Sequence, residues 1–164
     1  MQSTDDQLRA IAKALPAQVK IDRYLRRNGV KDLVGDYGEI LAHKVLGGTR
    51  TPPTTEGHDI DHPEYGRIQV KTRKYELRLD GTVKKEGRAV GFKRDKPLQF
   101  DWLCHLVLDV EYQVVGATLV SYECVWPEIT SKSMKVSFQL SCSLPSSIDL
   151  TSQFKKVAVP GVAP

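Results

Sequence analysis

The 164-residue sequence predicts an α/β domain built around one mixed sheet that is flanked by helices. Residues 31–48 place apolar side chains at helical spacing and end in Gly47-Gly48, which is typical of an amphipathic helix. Residues 100–110 and 113–122 are nearly continuous in apolar side chains and are separated by a short polar turn. Such runs indicate neighbouring strands buried in the centre of a sheet.

The first 31 residues are predicted to form an N-terminal helical segment. Ser3 or Thr4 is suited to cap a first helix, with acidic residues in its first turn. Pro16 is expected to end that helix, because proline removes a backbone donor and clashes with the preceding turn. A second helix is then expected, with Asn28-Gly29 as its stop signal.

Residues 58–62 and 65–75 predict two strands joined by a turn at Pro63-Glu64. The stretch "GRIQVKTRKYE", residues 66–76, covers most of the second strand, and its period of two divides it into an apolar face and a polar face. Ile68 and Val70 lie on the first face. The second face carries an amide, an ammonium and a guanidinium in a row, from Gln69, Lys71 and Arg73.

The remaining elements complete a core domain over residues 32–150. Residues 78–97 are read as a charged excursion in which "RAVGF" is one arm of a hairpin. A short helix is expected at 121–129 and a last strand at 134–141. The segment 151–164 is rich in Ser, Pro and Val, so a loosely ordered tail is expected there.

Two carboxylates accompany the polar strand face. A hairpin between the two predicted strands would bring Asp59 near Gln69 and Lys71, and Glu39 on the preceding helix leans toward the same strand ends. Carboxylate and amide oxygens suit a hard divalent cation such as Mg²⁺. Such an ion can polarise a phosphodiester and lower the pKa of water, and a neighbouring lysine can orient that water.

The three segments "GDYGEILAHKVL", "GHDID" and "RIQVKTR" resemble the PD-(D/E)xK phosphodiesterase superfamily, which has the restriction-endonuclease-like fold. The family pattern is a Glu on a helix, an Asp at a strand start, and (D/E)-x-K on the next strand. The matching positions are Glu39, Asp59 and Gln69-Val70-Lys71, and the resemblance covers residues 33–76. This chain departs from the pattern in two ways: Gln69 replaces the acid, so that it offers an oxygen without a charge, and no Pro precedes Asp59.

The resemblance implies a Mg²⁺-dependent DNA endonuclease, with Mn²⁺ as a substitute, that hydrolyses a phosphodiester by in-line attack of an activated water and leaves a 5′-phosphate. Asp59, Gln69, Glu39 and the Val70 carbonyl would hold the ion, and Lys71 would serve the water. One site in a chain of this size also implies a homodimer or higher homo-oligomer for cutting two strands.

A basic tract follows the polar strand. Eleven of the 24 basic residues lie between Arg67 and Lys96, against four acids. Such a tract is suited to follow the phosphates of duplex or branched DNA, although a solvated hairpin kept soluble by lysines has the same composition. The predicted nucleic-acid contacts are Arg73, Lys74, Lys84, Lys85, Arg88, Lys93 and Arg94.

Other motifs are absent from the sequence. No phosphate-binding GxxxxGK[ST] loop is present, so no nucleotide cofactor is expected. No apolar run approaches the length of a membrane span, and no export signal is expected from the acidic pair near the N-terminus. Three cysteines without a CxxC pair favour a reducing, cytoplasmic setting. Two alternatives remain open: a catalytically inactive DNA-binding module of the same fold, and RNA as the substrate.

Overall fold

A computed structural model describes residues 4–52, 55–78, 80–84, 89–92, 99–131 and 134–158. These residues fold into a mixed α/β structure with one six-stranded sheet. The helices are α1 (Thr4–Arg27), α2 (Leu33–Leu46), α3 (Tyr122–Ser131), α4 (Phe138–Ser143) and α5 (Thr151–Val157). The strands are β1 (Thr49–Arg50), β2 (Ile60–His62), β3 (Gly66–Lys74), β4 (Glu76–Leu77), β5 (Val83–Lys84), β6 (Ala89–Gly91), β7 (Trp102–Leu108), β8 (Val114–Ser121), β9 (Lys135–Ser137) and β10 (Ile148–Asp149).

The sheet is mixed, as the sequence predicts, and its strand order is β1-β2-β3-β7-β8-β10. The pairing of β3 with β7 is parallel, and the other neighbours in this sheet are antiparallel. Parallel strands need a crossover connection, and the chain between β3 and β7 contains the short β4–β5 hairpin. In register, Gln69 faces Leu103 and Lys71 faces His105. The predicted polar strand is therefore a central strand.

Both faces of the sheet are covered. The face carrying Ile68 and Val70 packs against α2 and α5 through Leu41, Ala42 and Phe154. The opposite face packs Leu103 and Val120 beneath α3 and the β6–β9 ribbon. Burial on both faces explains why the sequence of β7 shows no alternation.

The helix α2 is positioned by its caps and by one close contact. Asp32 caps it by accepting a hydrogen bond from the Val34 amide at 3.2 Å, and Gly47 ends it at a φ of 84°. In its middle, Gly38 lies directly against Thr72 of β3. A Cβ at position 38 would lie 2.8 Å from the Thr72 Cβ and would overlap its hydroxyl. Only glycine lets this helix approach β3 so closely.

Three expectations about the elements are corrected. Pro16 does not end a helix, because α1 continues from Thr4 to Arg27 with Pro16 inside it. The φ of proline is compatible with a helix, and at this exposed position water can hydrate the carbonyl that loses its donor. The expected last strand ends at Ser137, whose hydroxyl accepts the Leu140 amide and starts α4 instead. The arm "RAVGF" contains a strand, β6, and among the described residues its partner is the distant β9 and not a strand of the excursion.

The C-terminal segment is the fourth correction. Residues 151–157 form α5, and Phe154 on this helix is fully buried in the core. The segment is held further by the Thr151 hydroxyl, which accepts a hydrogen bond from the Ala117 amide at 3.0 Å. A prediction from average composition missed it because one aromatic anchor outweighs the polar residues around it. Residues 159–164 lie outside the described residues.

Within the described ranges, no helix is long and apolar enough to cross a membrane. The three cysteines are free thiols, and Cys104 is a buried residue of β7 whose pKa is raised to about 12, chiefly by burial. It serves as a small apolar core residue, in agreement with its place in an apolar run.

Candidate active site

Asp59 immediately precedes β2 and lies beside Gln69 of β3. Its backbone amide donates to the Ile68 carbonyl at 2.9 Å, and its Oδ2 accepts the Val70 amide at 2.7 Å. The same Oδ2 also accepts a hydrogen bond from Gln69 Nε2. The predicted hairpin is therefore present, and it brings Asp59 and Gln69 into direct contact.

The Gln69 amide group also reaches a second predicted ligand. Its Nε2 donates to the carbonyl oxygen of Val70 at 3.3 Å. One NH₂ group thus contacts Asp59 Oδ2 and Val70 O, which are two of the oxygens predicted to hold a cation. The amide supplies partly positive hydrogens where a carboxylate in the family position would supply negative charge.

Glu39 approaches the same place from α2, one residue after the Gly38–Thr72 contact. Its carboxylate forms a 3.3 Å ion pair with the guanidinium of Arg50, in which both side chains stay about one-third exposed. The pKa of Glu39 is raised, first by burial and next by the negative charge of Asp59. The charge of Asp59 therefore disfavours the ionised form of Glu39.

The pKa of Asp59 is also raised, and burial is the largest cause. The Val70 amide and the ammonium of Lys71 oppose this shift, because each stabilises the ionised carboxylate. Two partly buried carboxylates with raised pKa values, beside one lysine, form an arrangement that a bound cation would stabilise.

Lys71 follows Gln69 on the same face of β3. Its Nζ lies 5.5 Å from the ring centroid of Phe92, close enough for a cation–π contact. The residue beside it in register on β7 is His105, which is fully buried and whose pKa is lowered to about 3, chiefly by burial. His105 is therefore neutral, and its Nδ1 lies 3.0 Å from the Ser141 hydroxyl.

The predicted nucleic-acid contacts do not form one surface in the described part of the chain. Arg73 donates to the Ala89 carbonyl at 3.2 Å, which ties β3 to β6. Lys74 points to the other face, where it donates to the Val110 carbonyl at 3.2 Å and lies over the Tyr112 ring. Lys84 is exposed on β5. Lys85, Arg88, Lys93 and Arg94 lie outside the described residues.

Sequence reasoning missed two neighbours of the site, Arg50 and Phe92. Arg50 reaches Glu39 because the Gly47-Gly48 turn sends β1 back beside α2 and next to β2. The glycine pair was a visible signal of this reversal, although it does not say which side chain faces the helix. Phe92 contacts Lys71 because the pairing of β6 with β9 places β6 over β3. No local sequence pattern predicts that contact.

The site is not a cluster of side-chain ligands of the usual metal-binding types. Among the described residues, no group of three or more His, Cys, Asp or Glu side chains is placed to hold a metal ion. Any cation at Asp59 would therefore depend on the amide of Gln69 and the carbonyl of Val70 as well as on carboxylates. No protein-family model and no curated protein matches this chain.

Proposed function

We propose that the chain is a Mg²⁺-dependent deoxyribonuclease of the PD-(D/E)xK type, with a restriction-endonuclease-like fold and a Q-x-K variant of the motif. The observation that carries the proposal is the convergence near the middle of β3: Asp59 contacts Gln69 and the Val70 amide, Lys71 acts electrostatically on Asp59, and Asp59 acts electrostatically on Glu39. The mixed six-stranded sheet with flanking helices is consistent with it.

The donor set fits a hard divalent cation. Glu39 and Asp59 supply carboxylates whose pKa values are raised, chiefly by burial, so a cation would stabilise the ionised forms that burial disfavours. Val70 supplies a carbonyl oxygen, and Gln69 supplies Oε1 if its terminal amide turns over. That rotation gives up both hydrogen bonds of the NH₂ group, so a bound cation would have to compensate for their loss.

Each residue of the proposed site would have its own role in the reaction. When bound, Mg²⁺ would polarise the phosphodiester and lower the pKa of water. Lys71 would hold the attacking water in line and offset negative charge that develops on the phosphate. Asp59 would be kept ionised for this role by the Val70 amide and by Lys71 itself. Phe92 would restrict the Lys71 side chain to the site.

Plasmid cleavage tests this function. The wild-type protein should nick or linearise supercoiled plasmid with Mg²⁺ or Mn²⁺ and should be inactive in EDTA. Lys71→Ala should reduce the rate by at least about 100-fold, as removal of a transition-state contact does. Its affinity for duplex DNA should change only a few-fold, because one lysine among many phosphate contacts shifts binding little. Lys155→Ala, an exposed lysine on α5, is the matched control and should cut normally.

Two results would contradict the proposal. One is cleavage by Lys71→Ala at the wild-type rate. The other is a wild-type protein that fails to cut plasmid with either metal ion. An RNA of the same sequence, run in parallel, decides between DNA and RNA as the substrate.

The hydrogen bonds of Gln69 favour a second candidate, a catalytically inactive DNA-binding module. Its NH₂ group already bridges Asp59 and Val70, and so it satisfies two oxygens without a metal ion. Calorimetric titration with Mg²⁺, with and without duplex DNA, distinguishes the two candidates. Binding of DNA without binding of Mg²⁺ would favour the inactive module.

The basic tract is proposed to contact the phosphates. Changing Lys84, Lys85, Arg88, Lys93 and Arg94 together to Ala should flatten the slope of log affinity against log salt by roughly 0.9 for each phosphate that is no longer neutralised. An unchanged slope would show that these residues do not contact phosphates and would favour the alternative, a solvated hairpin.

A further inference from the structure

The helix α1 presents an apolar face to solvent. Leu8, Ile11, Leu15 and Val19 are 43–59 % exposed, and their spacing places them along one side of the helix. The basic residues Arg9, Lys13, Lys20 and Arg27 lie on the opposite side. An amphipathic helix normally buries the apolar side, so this face lacks a partner within the described part of the chain.

The helix also lacks the packing that would stabilise it. Every described side chain from Asp6 to Tyr24 is exposed. Most helices in proteins depend on tertiary packing, and the interior Pro16 removes one hydrogen bond from this one. A 24-residue helix with these properties would be marginal by itself in water.

A groove beside the C-terminal half of α1 extends this surface. It has a volume of about 500 Å³ and lies between α1, the start of α2 and the loop after β7. Its apolar lining residues are Ile21, Leu25, Val30, Leu33 and Tyr112. Gln18, Asp22, Arg26 and Lys31 complete its lining, so the groove offers an apolar floor with polar side chains beside it to a helix that lies along α1.

The distribution of charge along α1 favours a second copy of this helix as the partner and favours an antiparallel orientation. Asp5 and Asp6 are in the first turn, whereas the last two turns carry Arg23, Arg26 and Arg27 against one acid, Asp22. A parallel copy would place like charges together at both ends, whereas an antiparallel copy places each acidic end beside a basic end. We propose that α1 pairs antiparallel with α1 of a second copy of this chain, so that Leu8, Ile11 and Leu15 of each copy pack along the groove of the other.

The geometry of such a pair is adequate for a dimer. Each helix is about 36 Å long, and two such faces bury on the order of 1,000 Å² in total, the lower bound for a specific interface. The pairing is isologous, so it closes as a two-fold dimer. The segments of this sequence outside the described residues have at most six residues, too few to cover the face. This inference does not depend on the nuclease proposal.

Measurement of molar mass by light scattering tests the interface. At about 100 µM, above the dissociation constants of weak dimers, the wild-type protein should have twice the chain mass of 18.4 kDa. The double variant Ile11→Ser/Leu15→Ser should have the mass of one chain. The control Arg9→Ser/Lys13→Ser changes the opposite side of the same turns and should remain dimeric. Near-ultraviolet circular dichroism checks that each variant keeps its folded body.

Charge reversal tests the direction of pairing. Asp5→Arg/Asp6→Arg should weaken the dimer by roughly 10-fold or more, and adding Arg23→Glu/Arg26→Glu in the same chain should restore it. A parallel pair would not be restored in this way. A monomeric wild-type protein overturns the proposal, as does a dimer that the apolar double variant leaves intact. Wild-type monomers that bind anionic phosphatidylserine vesicles through Ile11 and Leu15 would assign the face to a membrane surface instead.

Discussion

Gln69 donates a hydrogen bond from its side-chain amide to Oδ2 of Asp59, across the antiparallel pair of strands β2 and β3. In the proposed Q-x-K variant, this contact joins the residue that replaces the acid of the motif to the proposed aspartate ligand. It also makes position 69 the place where a change gives the most information.

Gln69→Glu should make the fold sensitive to metal ions. Without Mg²⁺ at pH 8, the new carboxylate replaces a donor and repels Asp59, so we expect a loss of about 2 kcal/mol, or roughly 5 °C in Tm. Mg²⁺ should then raise the Tm of the variant more than that of the wild type, and cleavage should need less Mg²⁺. Thermal unfolding in EDTA and in a Mg²⁺ series measures both effects.

Gln69→Leu is the control for this change, because leucine has a similar size but no oxygen. Its Tm should not respond to Mg²⁺, and its cleavage should need far more of the ion. If Glu and Leu at position 69 have the same metal requirement, Gln69 is not a ligand.

The raised pKa of Asp59 predicts a pH dependence of stability. Its folded pKa lies above the unfolded value, chiefly because of burial, so the folded state binds a proton more readily than the unfolded state. The free energy of unfolding of the wild type, relative to Asp59→Asn, should therefore rise as pH falls through the folded pKa and level off below the unfolded pKa. Urea unfolding in EDTA between about pH 7 and pH 3 measures this difference. Parallel curves for the two proteins would show that Asp59 is not desolvated.

Gly38→Ala should destabilise the fold by about 2 kcal/mol, because the added methyl group overlaps Thr72 and pushes α2 from β3. The same shift should move Glu39 and slow cleavage. Thr72→Ala should restore part of the stability in the double variant, since it removes the overlapping hydroxyl. The control is Gly91→Ala, where a Cβ would meet no atom of the described residues within 4 Å, and it should change stability by less than about 0.5 kcal/mol. Equal effects at positions 38 and 91 would contradict the close contact.

Phe154→Ala should be among the most damaging single changes, at about 3–5 kcal/mol, because Phe154 is fully buried between α5 and the sheet. Chemical denaturation measures the loss. Gln153→Ala, an exposed neighbour on the same helix, should be nearly neutral. A small effect at position 154 would support the loosely ordered tail that composition suggests.

The helix α2 and the strands β2, β3, β7 and β8 could be predicted because each has a local signal. Gly47-Gly48 ends α2, alternation defines β3, and continuous apolar runs define β7 and β8. The contact of Asp59 with Gln69 followed from the turn at Pro63-Glu64, which fixes the register of the hairpin.

The remaining features depend on contacts between distant residues. The pairing of β6 with β9 joins segments more than 40 residues apart, and α5 depends on Phe154 reaching the core. The ion pair of Arg50 with Glu39 depends on where β1 lies, and the direction of the Gln69 amide depends on the two acceptors around it. No local pattern of residue types carries this information.

The parallel pairing of β3 with β7 determines whether the segment that contains the motif can fold outside this chain. Glu39, Asp59 and Lys71 all lie within residues 33–76, a segment short enough to graft or synthesise. In isolation, however, that segment would be a helix beside a small hairpin, and β3 would lose the neighbour that buries one of its edges. A peptide with the complete motif should therefore be unfolded. During synthesis on the ribosome, the site would likewise be assembled only after β7 and β8 had emerged. The nascent chain would therefore contain the motif residues well before they are held in the arrangement of the folded site.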